Sequence, residues 1–179
     1  MALTALVYTF DIQLSDVDRQ VYEALSFKAA QHPSETNEFL IARVLAYCME
    51  YREGIAFSRG LADPDEPALA IRDLTGALQS WIEIGNPDSA RLHKASKAAP
   101  RLVIYTHKDP QQLLRQVDGA RIHRKETIEV IALDRALIAA IVERLDRRMS
   151  FSLSISDGHL YLTVGNETLD GAISRIRLG

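Results

Sequence analysis

Residues 5–14 alternate without a break. Leu6, Tyr8, Phe10, Ile12 and Leu14 fall on one side and Val7, Thr9, Asp11 and Gln13 on the other, which predicts a strand with one face in a core. "SDVD" at 15–18 predicts a turn, and residues 20–30 fit a strand paired back on the first, although Val21, Leu25 and Ala29 also fit a helix. A helix over about 34–51 follows, with Ile41, Val44, Leu45 and Cys48 as its apolar stripe, Ser34 as N-cap and Glu35 at the positive end of the dipole. "RGLADPDEP" is a loop. "ALAIRD", "LTGA" and "LQSWIEIG" form a hairpin, and Asn86-Pro87 opens a helix over 88–99. "RLVIYTH" at 101–107 has no polar alternation, so it predicts a central strand covered on both faces. A short helix at "DPQQLLRQVD", a strand at "TIEVIAL" and an amphipathic helix over 135–148 come next. Asp157-Gly158 fits a type I′ turn inside the hairpin "MSFSLSISDGHLYLTVG", and 168–178 adds a strand. Strands and helices in this order predict an α/β (α+β) domain over 1–179, a mixed central sheet flanked by helices.

Composition narrows the function classes. The chain is 47% hydrophobic and 25% charged, without repeats or low-complexity stretches. No apolar run approaches the ~20 residues of a membrane span, and the N-terminus lacks the basic start of a signal peptide. These features predict a soluble cytoplasmic protein. The lone Cys48, on an apolar helix side, is expected to be a buried small hydrophobe. A net charge of −3 argues against a dedicated DNA coat or a basic membrane binder.

Several chemistries have no sequence basis. There is no GxxxxGK[ST] or GxGxxG loop, no GxSxG elbow, and no HExxH or HxxxH pair among the five histidines. His107 stands at the end of the predicted central strand, where ligand sites often open and where a histidine can equally cap the strand.

The charge distribution is uneven. From Glu53 to Asp88 there are seven acids and two bases, and from Arg91 to Lys125 nine bases and two acids. Glu83 lies inside a strand, on the face shared with Trp81 and Gly85, and a buried carboxylate needs a partner, a proton or a cation. Asp65 precedes the strand that pairs with the one carrying Glu83, so the two acids can approach. Two converging carboxylates suit Mg²⁺ or Mn²⁺. Glu38, three before Ile41 and seven before Leu45, is assigned to the inward stripe and is a third candidate ligand. Arg91, Lys94 and Lys97 recur every three residues on one helix face. A structural ion pair between Glu83 and one of the lysines explains the same spacing without any reaction.

"AAQHPSET" (Ala29–Thr36), "FSRGLADPDEP" (Phe57–Pro67) and "WIEIGNPDSARLHKA" (Trp81–Ala95), together with "DVDR" and "DGHLYL", resemble the signature segments of the YaeQ family. That resemblance implies a variation on the PD-(D/E)XK nuclease fold. Pro64-Asp65 takes the "PD" place and Glu83 the first place of "(D/E)XK". Gly85 stands where the pattern has lysine, so Lys94 or Lys97 would have to reach back from the following helix.

Two functions follow from these residues. One is a non-catalytic binding or regulatory protein on a nuclease-like scaffold, favoured by the missing lysine and the modest charge. The alternative is a Mg²⁺- or Mn²⁺-dependent phosphodiesterase acting on nucleic acid. In it Asp65, Glu83, Lys94 and Lys97 are catalytic, and Glu38, Asp65 and Glu83 bind metal. Arg91, Lys94, Lys97, Arg101, Arg121, Arg124 and Lys125 are the residues expected to contact nucleic acid.

Overall fold

The computed structural model describes residues 4–58 and 65–179. Residues 59–64 of the loop predicted over 59–67, with Pro64 of the "PD" pair, lie outside the described residues.

The two long strands β1 (Leu6–Asp16) and β2 (Val21–Gln31) pair antiparallel along their whole length, Leu6 opposite Gln31 and Asp16 opposite Val21. The turn therefore falls two residues later than the 15–18 expected from the sequence. Helix α1 (Asn37–Met49) follows, then β3 (Ile55–Phe57), β4 (Leu69–Arg72), β5 (Leu78–Ile84), α2 (Ser89–Ala98) and β6 (Arg101–Thr106). The remainder is α3 (Pro110–Val117), a 3₁₀ turn at Lys125–Thr127, β7 (Glu129–Leu133), α4 (Arg135–Val142), β8 (Arg148–Ser156), β9 (His159–Val164) and β10 (Glu167–Arg177). Among the described residues, ten strands form one mixed sheet in the order β2-β1-β8-β9-β10-β7-β6-β5-β4-β3.

The sheet does not lie flat beneath α1; it curls around it. Phe27 on one edge strand and Phe57 on the other have ring centroids 5.5 Å apart. Tyr47 of α1 touches both rings, at 4.5 and 4.9 Å. The sheet predicted to be flanked by helices carries α2 and α3 on its outer side and wraps α1 on its inner side. The reason is in the helix itself: besides the predicted stripe, Leu40, Ala42 and Ala46 are fully buried, and a helix apolar nearly all round must be covered all round. The "DVDR" segment closes the far end of this helix. Arg19, paired with Asp16 at 2.6 Å, donates to the carbonyls of Tyr51 and Cys48, satisfying acceptors that the helix C-terminus leaves open. Cys48 is buried beside it, and burial pushes its thiol up to about 12, so it is inert.

Strands β5, β6 and β7 run parallel and are covered on both faces. Ile82, Val103 and Ile131 face α1, whereas Trp81, Ile104 and Val130 pack against Leu92 of α2 and Leu113 of α3. Strand β6 is buried on both sides, as its unbroken apolar run predicts. Strand β10 pairs with β9 and then with β7, joining the two halves of the sheet. It is crossed closely by the start of α4: a Cβ on Gly171 would stand 2.7 Å from the Asp134 Cβ, so only glycine fits.

Three helix boundaries differ from the sequence reading. Helix α1 is capped by Thr36, which accepts from the Phe39 N–H, while Ser34 turns to His32 instead. Helix α2 is capped by Asp88, which accepts from the Arg91 N–H, so Asn86 and Pro87 lie outside it. Helix α4 stops at Val142, six residues early, because its exit tightens into i→i+3 bonds at Arg144 and Leu145 before β8 begins.

Candidate functional site

A cavity of about 850 Å³ opens at the C-terminal ends of β5 and β6, between the first turns of α1 and α2. Glu83 reaches it from β5, Phe39 and Arg43 from α1, Arg91 and Lys94 from α2, and His107 from just beyond β6. Parallel strands with helices on their faces commonly open binding sites at this edge.

Glu83 is 4% exposed. Its Oε1 accepts from the Trp81 indole N–H at 2.5 Å and its Oε2 from the Arg91 Nε at 2.9 Å. Trp81 is two residues away on the same strand, so the pleat itself aims the indole at the carboxylate. Arg91 lies in the first turn of α2, and its guanidinium also sits over the Trp81 ring at 5.8 Å and donates to the Glu66 carbonyl at 2.7 Å. The expected partner for Glu83 was a lysine. The cation found on it is Arg91, because α2 begins four residues after Gly85 and its first turn overlies the strand end.

Lys94, one turn further, pairs with the exposed Asp65, whose carboxyl it holds below its ordinary value by the hydrogen bond first and the charge second. Lys97 is exposed in the last turn of α2. The series Arg91, Lys94, Lys97 thus divides: the first meets Glu83, the second Asp65, and the third neither. Gly85 has φ +88°, and its hypothetical Cβ would meet only ordinary contacts, 3.7 Å from the Phe39 ring. The backbone conformation, not the space, is what disfavours lysine at this position.

The acid from the start of α1 is not the expected one. Glu38 is exposed and borders a smaller neighbouring hollow with Arg135 and His107. Glu35 lines the main cavity instead, 3.4 Å from the guanidinium of Arg43. The assignment of Glu38 to the inward stripe is therefore corrected: in the second position of the helix it points to solvent, and Glu35 reaches back from the segment ahead of the cap. Arg43 was the signal for this. A base within the apolar run "LIARVLAYCM" needs an acid, and the structure buries it to 3% exposure, donating to the Ala30 carbonyl at 2.6 Å. Burial raises the Glu35 carboxyl above its usual value despite the opposing Arg43 charge, and burial lowers the Arg43 guanidinium. Burial, then the Lys108 charge, lowers His107.

The other predicted cations do not gather here. Arg101 begins β6, at the opposite end from the cavity, and is bound to Glu50 at 2.6 Å. Arg124 donates to the carbonyls of Ser96 and Ala99 at the end of α2, and Lys125 to the Val117 carbonyl at the end of α3. They satisfy helix C-termini. Arg121 is exposed on the connection after α3. Among the described residues, no three carboxylate, imidazole or thiol side chains converge as a metal cage, and no helix is long and apolar enough to cross a membrane.

The family model described as YaeQ protein matches residues 1–173. The "Uncharacterized protein YaeQ" of Escherichia coli (strain K12) is 31% identical over 171 residues, covering 95% of this chain and 94% of that relative. The crystal structure of YaeQ protein from Pseudomonas syringae superposes with a TM-score of 0.88 at 30% identity, covering 98% of each chain. That of YaeQ protein from Xanthomonas axonopodis pv. citri gives 0.87 at 32% identity, covering 97% of this chain and 99% of that one.

Proposed function

Since the chain belongs to the YaeQ family, we propose that it is a non-catalytic binding or regulatory protein, with a ligand cavity at the C-terminal edge of β5 and β6. The observation that carries this reading is the saturation of Glu83: both oxygens accept from N–H donors, and one donor is a guanidinium. A divalent cation at Glu83 would have to displace Arg91 or sit against its charge, and Asp65 is already neutralised by Lys94. Glu38 faces away. The donor set Glu38, Asp65 and Glu83 in this arrangement does not fit Mg²⁺ or Mn²⁺. The nuclease-like character of the scaffold is part of the proposal, resting on an acid just ahead of β4, an acid within β5, and a β5–α2–β6 crossover.

One contact favours a second reading, a Mg²⁺- or Mn²⁺-dependent phosphodiesterase acting on nucleic acid. Lys94 meets Asp65, as a migrated motif lysine would. In that case nucleic acid would approach Arg91, Lys94 and Lys97 at the cavity end and not Arg101, Arg124 and Lys125. Incubation of the purified protein with single- and double-stranded DNA and RNA, with Mg²⁺ or Mn²⁺, separates the readings. The binding reading expects no cleavage above that of Glu83→Ala. Cleavage lost in both Glu83→Ala and Lys94→Ala would replace it with the nuclease.

A further inference from the structure

The two end strands of the sheet differ. Strand β3 has three residues and β2 has eleven. The backbone bonds of β1 show which way the groups of β2 point. The Thr9 N–H donates to the Arg147 carbonyl and the Val17 N–H to the Ile155 carbonyl, each at 2.8 Å, so odd-numbered residues of β1 turn to β8. The even-numbered ones turn to β2, which makes Phe10–Phe27, Ile12–Leu25 and Leu14–Glu23 hydrogen-bonded pairs. By the same alternation Tyr22, Ala24, Ser26, Lys28 and Ala30 present N–H and C=O to the open edge. The Ala30 carbonyl accepts from Arg43 at 2.6 Å. Among the described residues, the other backbone groups of this row have no partner. Natural sheets blunt such an edge with proline, a bulge or a cover. Strand β2 has no proline, pairs with β1 without a register shift, and leaves the side chains of Tyr22, Ala24, Ser26 and Lys28 exposed.

We propose that this edge is an interface with a second copy of the chain, the two β2 strands pairing antiparallel about a two-fold axis at Leu25. The proposal is independent of what the cavity binds. That axis sets Tyr22 of each copy opposite Lys28 of the other, and Ala24 opposite Ser26, using only free backbone groups. Tyr22 is 61% exposed. Directly opposite side chains share a face, so the Lys28 ammonium and stem cover the Tyr22 ring, and the two-fold provides that contact twice. No like charges stand opposite one another. An axis at Ser26 would instead set Tyr22 against Ala30, whose carbonyl Arg43 already holds, and would leave Lys28 against Ala24. An added strand from another protein is selected through side-chain pockets. Neither cavity described above borders Tyr22, Ala24, Ser26 or Lys28. The match is of the edge to itself.

Sedimentation velocity of the full chain over a roughly hundredfold range of concentration should show monomer giving way to dimer. Ser26→Pro removes an edge donor and leaves the β1 ladder intact, because the Ser26 N–H points outward. It should be monomeric throughout. Should it fail to fold, Tyr22→Ala, at an exposed position, should raise the dimer dissociation constant roughly tenfold. Single Ala24→Cys and Ser26→Cys variants report the register. Mixed and oxidised, they should cross-link to each other, and neither should cross-link alone, because unlike positions face across the axis. Cys48 is buried and does not compete. A wild type that stays monomeric, a folded Ser26→Pro or Tyr22→Ala protein that dimerises as tightly as wild type, or a cysteine variant that cross-links alone as readily as in the mixture overturns the inference.

Discussion

The sheet has two halves built on different principles. In β1, β2, β8 and β9 one face packs on the core and the other meets solvent. Phe10, Ile12, Leu153 and Leu162 are buried, while Val7, Tyr22 and Tyr161 on the outer side are 43%, 61% and 42% exposed. In β5, β6 and β7 both faces are covered, by α1 within and by α2 and α3 without. The first half can place a polar residue at every second position at no cost. The second cannot, so each polar group there needs its own partner. Glu83 has two, and the strand end beyond it opens into the cavity. The open half builds the frame, and the double-covered half confines charge and so makes a site.

Core truncation should break this comparison most visibly. Ile104 on β6 is fully buried, and Ile104→Ala should cost about 3 kcal/mol in urea unfolding. Ser152→Ala, on the outer face of β8, should stay within about 0.5 kcal/mol. Equal losses would mean that the two halves are not differently covered.

A smaller effect should appear in the pH dependence, and the cavity groups give it two opposite slopes. The Glu35 carboxyl is raised in the folded protein, chiefly by burial. Its contribution is full below the ordinary value near 4.5 and is lost as pH rises through the folded value. His107 is lowered, again chiefly by burial. Its contribution is full above the ordinary 6.5 and is lost as pH falls through the folded value. Denaturation midpoints of Glu35→Gln should lose the decline above 4.5, and those of His107→Gln the decline below 6.5. An unchanged profile in either variant would place that side chain in solvent.

The smallest effect belongs to the exposed pair. Lys94→Ala should leave the urea midpoint unchanged within error, since the Asp65 it meets is solvated. A clear loss would show that Lys94 and Asp65 belong to the buried set with Glu83.

What the chain disclosed about itself follows the same division. Period-2 alternation located β1 and the β8–β9 hairpin to within a few residues, and Asp157 and Gly158 take the positive φ values, 51° and 69°, that a type I′ turn needs. The unbroken "LVIY" run identified the doubly covered strand. Strand β3 escaped notice because three residues carry no period. Caps were misplaced because Ser34, Thr36, Asn86 and Asp88 are all competent, and only tertiary placement chooses among them. Within the site, Glu83 was conspicuous as a charge in an apolar strand, but its partner was not. Lysine and arginine at positions 91, 94 and 97 are equally spaced, and the entry angle of α2 decides which one arrives. Glu35 was hidden for a different reason. Helix-dipole logic explained it well enough to conceal that Arg43, eight residues on, required it.

The account rests on Glu83 being the anchor of an ion pair with Arg91, and a double-mutant cycle tests that most directly. Urea unfolding of the wild type, Glu83→Gln, Arg91→Met and the double variant, each with and without Mn²⁺, gives the coupling between the two side chains. With Glu83 5% and Arg91 25% exposed at the side chain, the coupling should be about 2 kcal/mol and indifferent to Mn²⁺. A coupling near zero, or a Mn²⁺-dependent rise in stability present in the wild type and absent from Glu83→Gln, would contradict the account and make Glu83 a metal ligand.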